Sequence, residues 1–300
     1  MNFILIALCL VSGIIVRSSG SLPENSHRGI NAWLLYIALP AVTLLYIPAI
    51  TWSRALFLPI AMPLAVWIGA WIILRLSARR FAFDKGTQAA LLLTAGLGNT
   101  SFVGFPLTQA YFGDEGLRIA VICDQISFMT LSTVGVLAAQ NGPHHGNSGM
   151  KAIAGKIVRF PSFIAFMAAL FLPRFMSFDP FNPVLATLAA TLVPLALFSV
   201  GLQIQFSGWQ RELPPLSLGL AYKLLVAPAL VLCAALAFRT GGIIGQTSVF
   251  EAAMAPMVTS AILAAEYQLN SRLANLMVSV GLIVSIATTG LWWLILRTVL

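Results

Sequence analysis

The sequence predicts an all-α polytopic membrane protein of ten transmembrane helices, built as two inverted five-helix repeats whose fourth and ninth helices are broken and face each other. Three observations carry that expectation. Of 300 residues 59% are apolar and 9% charged, against roughly 25% charged in a soluble domain, so water cannot be the solvent for most of the surface. Apolar segments near the about 20 residues that cross a bilayer recur along the whole chain. Two of them, near 96–106 and 252–260, are interrupted by Gly and Pro together with hydrogen-bonding side chains.

The expected spans are 1–18, 30–50, 55–76, 87–112, 117–140, 157–175, 182–204, 214–238, 247–268 and 274–297. Helices are the secondary structure that satisfies its own backbone when each span is this long and apolar. Span one, "MNFILIALCLVSGIIV", lacks the basic amino end and clean cleavage site of a secretory leader and is read as a retained helix. Spans two, three, seven and eight carry Pro40, Pro63, Pro194 and Pro228, residues commoner in membrane helices than in soluble ones. Cys9, Cys123 and Cys233 fall inside apolar spans and are read as packing residues, not a disulfide framework.

The net charge of +8 is topological. One set of alternate connections holds eleven basic residues, namely Arg17, Arg28, Arg75, Arg79, Arg80, Lys85, Lys151, Lys156, Arg159, Arg211 and Arg272. The other set has Arg54, Arg118, Arg174, Arg239 and Arg297. The richer side is expected in the cytoplasm, with both termini outside an inner membrane. No nucleic-acid partner is expected; the bilayer is.

Weak internal echoes divide the chain. "WSRAL" at 52–56 returns as "WQREL" at 209–213, displaced by 157 positions, and Arg17 relates to Arg174 by the same shift. "LPAVTL" pairs with "VPLALF", and "AYFGDEGL" with "EYQLNSRL", at nearby offsets. The boundary falls in the polar linker "NGPHHGNSGMK", giving halves 1–145 and 146–300 of five spans each. An odd number of crossings inserts the second half upside down, and interrupted helices at matching positions of such halves point to a binding site. His144 and His145, in the linker without nearby Cys or acids, are read as solvated and not as a metal site.

Span four holds Gly96, Gly98, Gly104 and Pro106 around Asn99, Thr100 and Ser101; span nine holds Pro256, Thr259 and Ser260. Pro removes a backbone donor and Gly eases unwinding, so each span is expected to divide into half-helices. Unwound backbone is tolerated at membrane depth where it is buried or lines a wet cavity. Half-helix amino ends would face a carboxylate and carboxyl ends a cation, with Asn99, Thr100, Ser101, Thr259 and Ser260 adding hydrogen bonds. The competing reading is close helix packing, which also uses Gly and Ser.

Asp124, Lys223 and Glu251 lie inside predicted spans, where charge is costly and functional by default. Asp124, beside Gln125, is read as a proton or cation site, since low dielectric disfavours a bare carboxylate, or else as half of a buried ion pair or a charge near a flexible helix end. Lys223 would pair Asp124, meet carbonyls freed by a broken helix, or attract an anion. Glu251 would sit near a half-helix amino end or snorkel to the outer surface.

"GLGNTSFVGFPLTQAYFGDEGLRIAV" resembles the auxin efflux carrier family, through Asn99, Thr100, Gly104, Pro106, Leu107 and Gly113; "LVPLALFSVGLQI", Lys223 with Pro228, and "AAMAPMVTSAILA" extend the likeness over nearly the whole chain. The resemblance implies crossed broken helices in spans four and nine, transport of small organic anions such as carboxylates, a scaffold or dimer surface from spans 1, 2, 6 and 7, and a transport unit from spans 3–5 and 8–10. The short loops are similar to those of bacterial members, for which malate and malonate are among the suggested substrates. Asp124 and Glu251 lie outside its motifs.

The expected activity is therefore secondary transport of a small organic anion, without a cofactor and with H+ or Na+ as the candidate coupling ion. A channel or a membrane sensor is the alternative. A membrane enzyme is disfavoured because the chain has no G-x-S-x-G, no HExxH and no acidic pair at helical spacing.

Overall fold

The computed structural model describes residues 2–23, 25–81, 83–140, 160–175, 179–204 and 209–300. The 141–151 linker, with His144, His145 and the boundary between the proposed halves, lies outside the described residues. The described chain is helical, with one isolated antiparallel bridge and no strand. Among the described residues six helices are apolar and long enough to cross a bilayer, so this is an all-helical integral membrane protein.

The helices are α1 (Asn2–Ser18), α2 (Ser26–Ala49), α3 (Phe57–Phe81), α4 (Lys85–Gly96), α5 (Thr100–Gln140), α6 (Pro161–Phe171), α7 (Asn182–Gln203), α8 (Leu213–Ala237), α9 (Gly242–Ala252), α10 (Val258–Glu266) and α11 (Ser271–Val299). They pack in two groups. In one, α1 lies on α7, and α2 lies between α6 and α7; in the other, α3, α4, α5, α8, α9, α10 and α11 pack among themselves. The α1–α7 crossing is made by glycine, since a Cβ on Gly13 would stand 2.3 Å from the Phe198 carbonyl oxygen and 3.0 Å from the Gly201 Cα. Backbones that approach this closely gain van der Waals contact that lipid cannot replace.

Proline explains several local details. π-turns at Leu34–Ala38, Thr100–Gly104 and Tyr222–Val226 each end two residues before a proline, at Pro40, Pro106 and Pro228. A proline ring clashes with the carbonyl four residues back and offers no N–H; widening the preceding turn accommodates both. Pro106 therefore stays inside a helix, contrary to the reading that it helps unwind span four. The sharp bend in α5 lies at Gly113 instead, where φ is +66°, a left-handed conformation open to glycine.

Some helix starts are capped by side chains. Asp84 opens α4, accepting hydrogen bonds from the Thr87 amide at 2.9 Å and its hydroxyl at 2.6 Å. Partial burial works to raise the Asp84 pKa, but the Thr87 hydrogen bonds outweigh it and hold the carboxyl below its ordinary range. Asn270 opens α11 by accepting from the Leu273 amide at 3.0 Å. Its own amide group donates to Thr87 and to Glu212, each at 3.1 Å, tying three helix ends together. The cysteines are free; Cys9 and Cys123 are buried as packing residues, whereas Cys233 is exposed on α8 and corrects that reading. In a membrane protein an outward-facing thiol on an apolar helix costs little, because its surroundings are lipid.

Candidate functional site

The site begins where two helices stop. α4 ends at Gly96 and α5 resumes at Thr100; α9 ends at Ala252 and α10 resumes at Val258. The intervening strands of backbone cross antiparallel at Gly98 and Pro256. The Asn99 amide donates to the Ala255 carbonyl at 2.8 Å and the Met257 amide to the Leu97 carbonyl at 3.1 Å. Peptide groups left bare in hydrocarbon would each cost several kcal/mol, so this reciprocal pairing is what makes the interruptions tolerable. Pro256 also packs tightly on α11, where a Cβ on Gly281 would fall 2.5 Å from its ring.

Both amino ends line one small cavity. Asn99, Ser101 and Phe102 come from the start of α5, Met257, Val258 and Thr259 from the start of α10, and the volume is about 60 Å³. Asp124 and Gln125 close it from farther along α5, and Leu35 and Leu39 from α2. Asn99 also caps α5 by accepting from the Phe102 amide at 3.2 Å. The Thr100 hydroxyl donates to Asp124 at 2.6 Å, and the Gln125 amide reaches the Thr43 hydroxyl at 3.5 Å. Ser260 is buried with a hydroxyl that has no hydrogen-bond partner.

The remaining predicted residues lie around the crossing but not in that cavity. Lys223 is buried and donates to the Ala252 carbonyl at 2.6 Å, so its ammonium closes the carboxyl end of α9, where the helix dipole is negative. It lies against Gly98, whose Cβ, if present, would be 3.1 Å from Nζ. Of the three partners expected for Lys223, the freed carbonyl is the one it bonds. Glu251 is fully buried and does not snorkel, because its carboxylate turns inward onto the first turn of the α5 helix after the break. One oxygen accepts from Thr108 at 2.6 Å and the other has no partner. Gly104 makes room for it; a Cβ there would stand 2.4 Å from Glu251 Oε2. Pro106 lines a different cavity of about 310 Å³ with Leu5, Tyr46, Phe105, Gln109 and Pro194. Above it, Tyr46 and Gln109 both donate to Asp114, at 3.3 and 3.1 Å.

Sequence reasoning missed Thr108, Thr43 and Thr247, whose buried hydroxyl has no partner one helical turn before Glu251. A usable signal existed for Thr108: it follows Ser101 by seven positions and Gly104 by four, the spacing of one helix face.

A helical bundle with two stitched interruptions and buried polar side chains at their meeting point accords with an integral membrane transporter, and the family match shows a transporter and not an enzyme. The chain belongs to the family described as "Membrane transport protein", that of the auxin efflux carriers, whose pattern matches residues 3–153 and 150–293. It is 27% identical over 300 residues to an uncharacterized transporter of Methanothermobacter thermautotrophicus, covering 97% of this chain and 96% of that one. It is 24% identical over 308 residues to an uncharacterized transporter of Methanocaldococcus jannaschii, covering 99% of each.

Proposed function

We propose that the chain is a secondary carrier or facilitator that moves a small organic anion, a carboxylate, across the cytoplasmic membrane by alternating access. The observation that carries this reading is the convergence of two helix amino ends on one cavity beside buried polar side chains. Free N–H groups and positive dipole ends suit a carboxylate. Asn99, Thr100, Ser101, Thr259 and Ser260 would bind it, with Gly104, Pro106 and Pro256 shaping the backbone. Asp124 would carry the coupling H+ or Na+, because a bare carboxylate beside an anion repels it and a neutralised one does not. Gln125, Lys223 and Glu251 would set the charge around that exchange. No cofactor is needed for such a cycle.

The architecture behind it is ten spans in two inverted repeats, 1–145 and 146–300, with both termini outside. The reciprocal hydrogen bonds about Gly98 and Pro256 support it: the two residues stand 158 positions apart, within a few residues of the displacement between the sequence echoes. The grouping of α1, α2, α6 and α7 apart from the other helices accords with a scaffold of spans 1, 2, 6 and 7, a surface through which a homodimer would form, and a mobile unit of spans 3–5 and 8–10. A cavity of about 60 Å³ has room for a few waters. Admitting a solute therefore requires the two groups to part.

The test is flux of labelled carboxylates into proteoliposomes. Saturable transport that Asn99→Ala abolishes, with the elution profile unchanged and the melting temperature lowered only by the loss of one helix cap worth about 1 kcal/mol, is the expected result. Ohmic current would favour a channel, binding without flux a sensor, and unaltered kinetics in Asn99→Ala would remove the site from the crossing.

A further inference from the structure

A second and larger cavity, about 780 Å³, opens on the side that the charge count makes cytoplasmic. Its outer wall carries Arg17, His27 and Arg28 together with the amides Gln203 and Asn275, and among the described lining residues there is no Asp or Glu. Arg17 is half-buried and held in place, because its guanidinium donates to the Leu202 carbonyl at the end of α7. That bond uses one of five guanidinium donors. Arg28 is exposed on the first turns of α2. The inner wall is α10, and Val258 of that helix lines both this cavity and the small one at Asn99 and Asp124.

We infer that this basic vestibule is an anion-capture site, which concentrates a small carboxylate and hands it past Val258 to the crossing. The inference rests on the carrier reading for the identity of the anion; the electrostatics of the vestibule stand apart from it. Two arginine charges in a concave, low-dielectric mouth focus the field, and such clefts raise local counter-ion concentration by roughly 10- to 1,000-fold, with a steep dependence on ionic strength. Arg presents paired donors that match a carboxylate edge, and the neighbouring amides accept either orientation. Topology alone would be satisfied by basic residues anywhere on this side. It does not ask that they line a cavity leading to the site.

The experiment uses charged thiol reagents, which need no transport. Ala265 lines the vestibule and is exposed, so Ala265→Cys is made in a chain carrying Cys233→Ser and reconstituted in phosphatidylcholine vesicles. A negatively charged methanethiosulfonate is expected to react at least about tenfold faster, relative to its cationic counterpart, than with a free thiol in solution. Arg28→Gln should remove most of that preference, Arg28→Lys should restore it, and raised salt should flatten it. Malonate at roughly millimolar concentration should slow the anionic reagent in the parent and not in Arg28→Gln, the affinity expected of one paired charge contact. Equal reaction of the two reagents, or a preference indifferent to Arg28, overturns the inference while leaving Asn99 untouched. Loss of the preference on adding phosphatidylglycerol, with no protection by malonate, would assign the vestibule to lipid headgroups and overturn it also. If Asn99→Ala leaves transport unaltered yet the reagent preference stands, the crossing assignment fails and the vestibule survives.

Discussion

Asp124 and Glu251 are both buried, and each takes a 2.6 Å hydrogen bond from a threonine hydroxyl, Thr100 in one case and Thr108 in the other. Their surroundings differ. Asp124 borders a cavity at the amino ends of α5 and α10, whereas Glu251 is clamped against Gly104 with one oxygen unpartnered. Lys223 sits at the end of the same helix as Glu251. The same functional group thus borders free volume in one place and solid packing in the other. Local free volume, more than residue type, separates a candidate exchange site from a structural one.

The largest expected effect comes from filling the Glu251 side. Gly104→Val must displace a carboxylate from within 2.4 Å of the new Cβ, and overpacking of a tight interior costs about 1–3 kcal/mol or more. Loss of folded protein on detergent chromatography is expected; a variant as stable as the parent would mean that Glu251 has room to move. Lys223→Met is next. Removing a charged donor from the Ala252 carbonyl should cost about 2 kcal/mol, read as a fall in melting temperature that ligand does not reverse.

The comparison of the two acids is sharpened by their amides. Asp124→Asn should eliminate the pH or sodium dependence of transport while leaving the melting temperature close to that of the parent; Glu251→Gln should lower stability and keep the ion dependence. The reverse outcome would move the exchange role to the clamped acid. The smallest effect lies far from both. Asp84→Ala should destabilise α4 by about 1 kcal/mol at neutral pH. Because the folded Asp84 pKa lies below its unfolded value, its contribution is present above the ordinary aspartate pKa and disappears as pH falls through the folded one. Melts of parent and variant should therefore converge on acidification. A constant difference between the two would assign the cap no charge dependence.

Much of this was legible in the chain. Low charge and recurring apolar runs specify membrane helices, and a cluster of Gly98, Asn99 and Pro256 within two of them marks where those helices stop. The two W-x-R-x-L stretches each hold a 3-10 turn before a long helix, but at different places in the motif, Arg54–Leu56 in one and Trp209–Arg211 in the other. Other prolines were ambiguous. Pro106 resembles Pro256 in sequence, but a π-turn before it absorbs the missing hydrogen bond and the helix continues. Nor could the chain tell which acid faces a cavity. That depends on Gly104 lying opposite Glu251, a contact between residues 147 positions apart.

The hydrogen bonds that join the two interruptions run from peptide group to peptide group. Replacing a side chain at Leu97, Asn99, Ala255 or Met257 with anything but proline leaves its donors and acceptors in place. Side chains beside the joint can therefore change without removing the hydrogen bonds that join the two interruptions, so, on the carrier reading, specificity could shift while the frame stays the same.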